Sequence, residues 1–177
     1  NSRYAMHFMY SDNMNLTNNT LVHNMTGFMI MIAKNLTLQE NTVMKNNTLN
    51  SLGVYFYDVE QVIFEHNTLS ENTVAMDVQN TKKMVAQSNV FQTNGTVLQV
   101  KRSPDLIVSD NQFYGNILTI RSDQDRLQLT DNFYDDYSGH DYDGDNIGDT
   151  AYIATNSFGQ WLVKKPVYQY FIESPSV

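Results

Sequence analysis

Two short stretches hold the side chains best suited to chemistry. His7-Phe8-Met9 and Met29-Ile30-Met31 each place two donor side chains two positions apart, and the two pairs lie 22 residues apart. Thioethers favour Cu(I), and an imidazole can complete such a site in a chain that has no cysteine. The chemistry requires all four donors on one face. If residues 7 and 29 are equivalent positions on neighbouring parallel strands, about 4.8 Å separates the pairs and about 6.6 Å the members of each pair. His7, Met9, Met29 and Met31 then form a small quadrilateral, a copper site or a copper-transfer surface. The competing reading is that methionine is a flexible apolar filler here, covered by further coils, a loop or a partner protein.

The elements that would place these residues are announced by a repeat. Asn19, Asn41, Asn67, Asn89, Asn111 and Asn132 follow one another at intervals of 22, 26, 22, 22 and 21 residues. Five residues before each stands an apolar residue (Met14, Leu36, Val62, Met84, Leu106, Leu127), and two after each stands another (Leu21, Val43, Leu69, Phe91, Phe113, Tyr134). A fixed period of this length, made of short alternating runs broken by Asn, predicts an all-β solenoid of parallel coils, a parallel β-helix. The repeated Asn is expected at a bend, bonding its counterparts in the coils above and below.

Alignment on the period gives two inward columns: Met6, Phe28, Val54, Met76, Leu98, Ile120, and Phe8, Ile30, Phe56, Val78, Val100, closed by Ser122. The residues between them should face out. The longer coil carries its extra residues as a loop between Asn46 and Val54. Coils are expected over 1–132, with further coils upstream, and an acidic loop and cap over 133–177.

Tyr55, Tyr57 and Asp77 continue the quartet's face, and exposed aromatics there could stack on sugar rings. Asp58 is predicted to point inward. No carboxylate pair with a glycosidase separation and no hydrolase motif is specified. His23 and His66 fall at bends and receive no role.

The stretch 131–149 carries seven of the 19 acidic side chains and no Lys or Arg. Within it Asp141, Asp143, Asp145 and Asp149, with the carbonyl of Ile147, occupy the oxygen-ligand positions of a calcium loop. Asn146 stands where such a loop has Gly, and Tyr152 where it has Glu, so the match is to a structural calcium loop rather than an EF-hand. A solvated acidic turn is the plainer reading. Trp161, Leu162, Val163, Tyr168, Tyr170, Phe171 and Ile172 are apolar enough to cover the last coil, and Pro166 favours extended packing over a helix.

A net charge of -8 argues against nucleic-acid binding, and no apolar run is long enough to span a bilayer. The N-x-T matches at Asn15, Asn24, Asn35 and Asn94 read as by-products of Asn-rich turns. The chain opens inside an element, which suggests a piece of a longer exported protein.

Arg3 to Ser11 (RYAMHFMYS), Gly27 to Ile32 (GFMIMI), the Asn coils and Asn132 to Tyr152 (NFYDDYSGHDYDGDNIGDTAY) together resemble the C-terminal half of the NosD family. This is the extracytoplasmic β-helix associated with maturation of the copper sites of nitrous-oxide reductase. The resemblance implies a right-handed parallel β-helix, not an enzyme, that works with ABC transporter subunits and a copper-delivering lipoprotein. It matches His7 and Met9 to the family's H-x-M-Y segment and Met31 to a second Met segment, whereas Met29 rests on the spacing alone. The acidic loop matches D-x-D-G-D-G-x-G-D with Asn146 in place of one Gly. A carbohydrate-binding or carbohydrate-active β-helix using Tyr55, Tyr57 and Asp77, and a calcium-stabilised surface scaffold, are the alternatives left open.

Overall fold

A computed structural model describes residues 2–123, 127–144 and 147–154. The described residues form sixteen strands and no helix, paired in parallel throughout. One face stacks β1 (Tyr4–Met9), the first part of β4 (Thr26–Gln39), the first part of β6 (Leu52–Glu65), β8 (Val74–Gln79), β11 (Thr96–Lys101) and β14 (Leu118–Ser122). The second stacks β2 (Met14–Thr17), the remainders of β4 and β6, β9 (Lys82–Gln87), β12 (Leu106–Ser109) and β15 (Gln128–Thr130). The third stacks β3 (Thr20–Val22), β5 (Thr42–Met44), β7 (Thr68–Ser70), β10 (Val90–Gln92), β13 (Gln112–Tyr114) and β16 (Phe133–Tyr134). The result is a β-solenoid of about six turns, each crossing the three faces once.

The corners follow from single left-handed residues that recur with the period. Tyr10, Ile32, Asp58, Asn80 and Arg102 all have φ between 49° and 54° and turn the chain from the first face to the second. Glu40, His66, Ser88 and Asp110, with φ between 53° and 56°, precede the next corner. The ladder asparagines follow directly. Asn67 is typical: its Oδ1 accepts the backbone N–H and the Nδ2–H of Asn41, each at 2.9 Å, and its own Nδ2 donates to the Leu38 carbonyl at 2.9 Å and to Asn89 Oδ1 at 3.0 Å. A bend cannot pair its backbone as a strand does, so the buried amides supply the missing partners.

Both anticipated inward columns are core. Phe28, Val54, Met76 and Leu98, and Ile30, Phe56, Val78 and Val100, are wholly buried, and Ser122 is half-buried where the core thins. On the third face Phe91, Phe113 and Tyr134 stack ring on ring at 5.3 and 4.9 Å, and Tyr152 adds a fourth ring at 3.7 Å. The acidic loop is thereby pinned to the last described coil. The insertion emerges at residues 47–50, exposed as expected, and is held by a Thr48–Ser51 hydroxyl contact and by Thr73 Oγ1 donating to the Thr48 carbonyl.

Asp58 departs from the expectation: it is exposed. Strict alternation carries it inward, but its φ of 53° makes it a corner residue, and the side chain that turns in is Val59, 2% exposed. Alternation also fails where the first-face strands begin, because Gly27 and Gly53 are buried next to Phe28 and Val54. A Cβ on Gly27 would lie 2.5 Å from the Gly53 carbonyl oxygen and 2.6 Å from Val43 Cγ1, so the close approach of the corner admits no side chain there. The apolar segment expected to cap the coils, Trp161, Leu162, Val163, Tyr168, Tyr170, Phe171 and Ile172, lies outside the described residues.

Candidate metal face

The first face brings the four soft donors together in the expected register. His7 pairs with Met29 and Met9 with Met31, on β1 and β4. Both strands point these residues outward because their neighbours Met6, Phe8, Phe28 and Ile30 fill the core. His7 is exposed, Met9 is 42% exposed, and Met29 and Met31 are half-buried. The His7 ring rests 5.1 Å from that of Tyr4, over which the Arg3 guanidinium lies at 5.3 Å. These groups are soft or borderline donors on an open surface, and no carboxylate shares their two rungs on this face.

The same two columns then change character. Tyr55 pairs with Met29 and Tyr57 with Met31, and the two rings lie 6.3 Å apart at 28°. On the next rung Asp77 pairs with Tyr55 and Gln79 with Tyr57, followed by Gln99 and Lys101. Asp77 is 4% exposed although it stands in the outward column. Gln79 Nε2 reaches both its oxygens, at 3.1 and 3.2 Å, and Gln99 Nε2 donates to Oδ2 at 2.7 Å. Burial pushes its carboxyl above the usual range, against those hydrogen bonds and the positive charges of Lys101 and Arg121. Burial, followed by the negative Asp77 and by Tyr57, likewise raises the Tyr55 phenol. A carboxylate so enclosed is not offered to a sugar, and Tyr55, Tyr57 and Asp77 make no catalytic pair.

At the other end of the described chain, Asp141, Asp143 and Asp149 each bring a carboxylate oxygen within 4.8 Å of the others, all three residues being exposed. The Tyr142 N–H donates to Asp149 at 2.6 Å, the Gly144 N–H to Asp141 at 2.7 Å, and the Asp149 N–H to the His140 carbonyl at 3.0 Å. Ile147 is in the same turn and 58% exposed. Asp145 lies outside the described residues. Tyr152, which sequence spacing would make a failed ligand, instead stacks on Tyr134 and donates to Asp136 at 3.0 Å. Burial, with Tyr152 and Asp136 beside it, pushes the Tyr134 phenol up to about 12. His23 and His66 are exposed corner residues with φ of 58° and 54°.

Two structural sets escaped the sequence reading. Asn24, Asn46, Asn72, Asn94 and Asn116 form a second ladder at the corner after the third face, with Asn94 Oδ1 accepting from Asn72 N–H and Nδ2–H at 3.0 and 3.2 Å. The signal was present, since each stands five residues after a first-ladder Asn. Thr81 and Ser103 are the other set, buried at the first corner, where Thr81 N–H donates to Ser103 Oγ at 3.0 Å. Beside that corner lies a cleft of about 420 Å³ lined by Tyr10, Asp12, Lys34, Asp58, Glu60 and Lys82. Glu60 is paired there with Lys83 at 3.3 Å and Lys34 at 3.6 Å, and the Lys83 bond and charge hold its carboxyl below the usual range.

Parallel coils and two buried amide ladders define the class: a parallel β-solenoid, with soft donor side chains on the outer side of its first face. The chain belongs to the NosD family, described as periplasmic copper-binding protein, which it matches over residues 1–161. A comparison with curated proteins gives no match. Among the described residues no helix is long and apolar enough to cross a membrane.

Proposed function

We propose that this chain is a non-enzymatic, extracytoplasmic copper-handling accessory protein that receives Cu(I) on the face made by His7, Met9, Met29 and Met31. The observation that carries this reading is the register placing His7 beside Met29 and Met9 beside Met31, in a chain whose family is described as copper-binding. The donor set fits the cargo: three thioethers and one imidazole suit Cu(I) and suit hard cations poorly. Transfer is ligand exchange, in which the donors of a delivering protein are replaced one at a time by these, so that the ion is never released to water. The finer role is work with ABC transporter subunits and a copper-delivering lipoprotein in maturing a copper enzyme such as nitrous-oxide reductase. Calcium at Asp141, Asp143, Asp149 and the Ile147 carbonyl is a structural complement that would neutralise the acidic turn.

An anaerobic Cu(I) competition titration tests the reading. The chain should bind about one Cu(I) per quartet, and the His7→Ala/Met9→Ala/Met31→Ala variant, folded by circular dichroism, should bind none. Equal binding by both, or none by either, would dismiss the quartet as packing surface.

A further inference from the structure

The quartet's outer face does not end in solvent along the stack. It ends on two aromatic rings, and beyond those rings the face turns from soft to hard donors within one further rung. The order down one column is His7, Met29, Tyr55, Asp77, Gln99, and down the other Met9, Met31, Tyr57, Gln79, Lys101. With rungs about 4.8 Å apart, the Asp77 Cα stands about 9.6 Å from that of Met29. A flexible thioether and a carboxylate could close that distance onto one ion if nothing stood between them. Something does: Tyr55, half-buried, occupies the rung between, with Tyr57 6.3 Å beside it.

We infer that Tyr55 and Tyr57 are specificity-determining residues for the copper face, a divider that keeps the Asp77 carboxylate out of reach of an ion held by Met29 and Met31. This rests on the proposed copper reading and adds to it how the face rejects other ions. Cu(I) accepts a site of thioethers and imidazole alone, whereas the divalent and harder Cu(II) and Zn(II), which also take carboxylate oxygen, gain more than Cu(I) from an added oxygen donor. Selectivity is a difference of affinities, and withholding the donor that a competitor needs enlarges that difference without altering the favoured contacts. Asp77 is held back from its own side as well, since Gln79 and Gln99 bind its oxygens at 2.7 to 3.2 Å. Tyr55 and Tyr57 pair in register with Met29 and Met31, so the rings stand on the rung next to the thioethers.

The other strong candidates carry less. The exposed Ile63 and Ile107, on the second face with Val85 between them, form an apolar stripe, but nothing on that face identifies what covers it. The corner cleft is lined by charges of both signs and selects no ligand class.

The test compares the metal preference of four chains: the parent, Tyr55→Phe/Tyr57→Phe, Tyr55→Ala/Tyr57→Ala, and the alanine pair combined with Asp77→Asn. Cu(I) affinity is measured anaerobically by competition, and Zn(II) affinity with a chromophoric chelator. The phenylalanine pair should keep the parent's Cu(I)-to-Zn(II) preference. The alanine pair should lose at least tenfold of it through tighter Zn(II) binding, and Asp77→Asn should restore it. A second readout needs no alanine variant: with 3-fluorotyrosine incorporated, Ag(I) as an oxidation-resistant substitute for Cu(I) should shift the two ¹⁹F resonances assigned by Tyr55→Phe and Tyr57→Phe. An unchanged preference in the alanine pair, a loss that Asp77→Asn leaves in place, or two unmoved resonances would each overturn the divider while parent Cu(I) binding stands. A parent that binds no Cu(I) overturns the copper reading and the divider with it.

Discussion

Replacing Asn67 by Ala removes the centre of the first ladder, and the structure gives the size of the loss. Asn67 is 1% exposed, and its Oδ1 is the acceptor for the Asn41 backbone N–H and for one Asn41 Nδ2–H, both at 2.9 Å. The variant leaves both donors buried with nothing to meet. The second Asn41 side-chain proton keeps its bond to the Leu16 carbonyl at 2.7 Å, and Asn89 Oδ1 keeps the backbone N–H of residue 67, so two donors are orphaned, while the Leu38 carbonyl loses the Asn67 Nδ2–H that it accepts at 2.9 Å. At about 1–3 kcal/mol for each unsatisfied buried group, the two donors alone cost about 2–6 kcal/mol. In a domain of this size that lowers Tm by roughly 5–20 °C. Asn19→Ala in the same chain is the internal control: Asn19 donates to Thr17 and Asn41, no amide among the described residues donates to its Oδ1, and the change should cost less than about 1 kcal/mol. Urea denaturation followed by far-ultraviolet circular dichroism measures both. Equal losses at Asn67 and Asn19, or less than about 1 kcal/mol at Asn67, would mean that water satisfies the corner amides and that the ladder is not what closes the bends.

Other perturbations have opposite signs or separate readouts. Asp77→Asn should stabilise the chain at neutral pH: a carboxyl whose folded pKa is raised binds its proton more tightly in the folded state, so stability falls as pH rises from the ordinary Asp value through the folded one. The gain over the parent should therefore be absent in strong acid and grow with pH in thermal melts; a gain confined to acid would reverse the assignment. Met31→Leu keeps volume and should cost under about 1.5 kcal/mol in folding, yet lower Cu(I) affinity at least tenfold by competition titration; unchanged affinity removes Met31 from the site. Calcium should raise the Tm of the parent and not of Asp143→Ala, read by differential scanning calorimetry; equal shifts would exclude the acidic turn as its site.

Periodicity made the solenoid legible, because in parallel coils a sequence offset is a spatial neighbour. The pairings His7 with Met29 and Met31 with Tyr57 needed only the offsets of 22 and 26 residues. What periodicity does not encode is where alternation stops. Asp58 was misjudged because a corner is made by one left-handed residue, and Tyr, Ile, Asp, Asn and Arg all fill that place, so no residue type marks it. Asp77 shows the converse. Its column was legible, but neither its burial nor the hydrogen bonds that Gln79 and Gln99 donate to it are announced by any spacing. The second ladder was legible in principle, yet its members at Asn24 and Asn94 also fit the N-x-T pattern, and one plausible explanation for an Asn-rich turn concealed a better one.

For the copper role proposed above, a flat β face favours transfer over storage. The backbone fixes four donors at the corners of a rectangle about 4.8 by 6.6 Å, with a diagonal near 8 Å. Methionine has three side-chain torsions with which to swing inward, but the strands cannot wrap around an ion as a loop can. One side of the coordination sphere therefore stays open to solvent or to a partner's ligand. An enclosed site would hold copper more firmly and release it more slowly, since every donor would have to leave before an acceptor could enter. In the proposed transfer one incoming thioether binds before the last of these four lets go, while the wholly buried Phe28, Ile30, Val54 and Phe56 beneath anchor the strands that carry the donors.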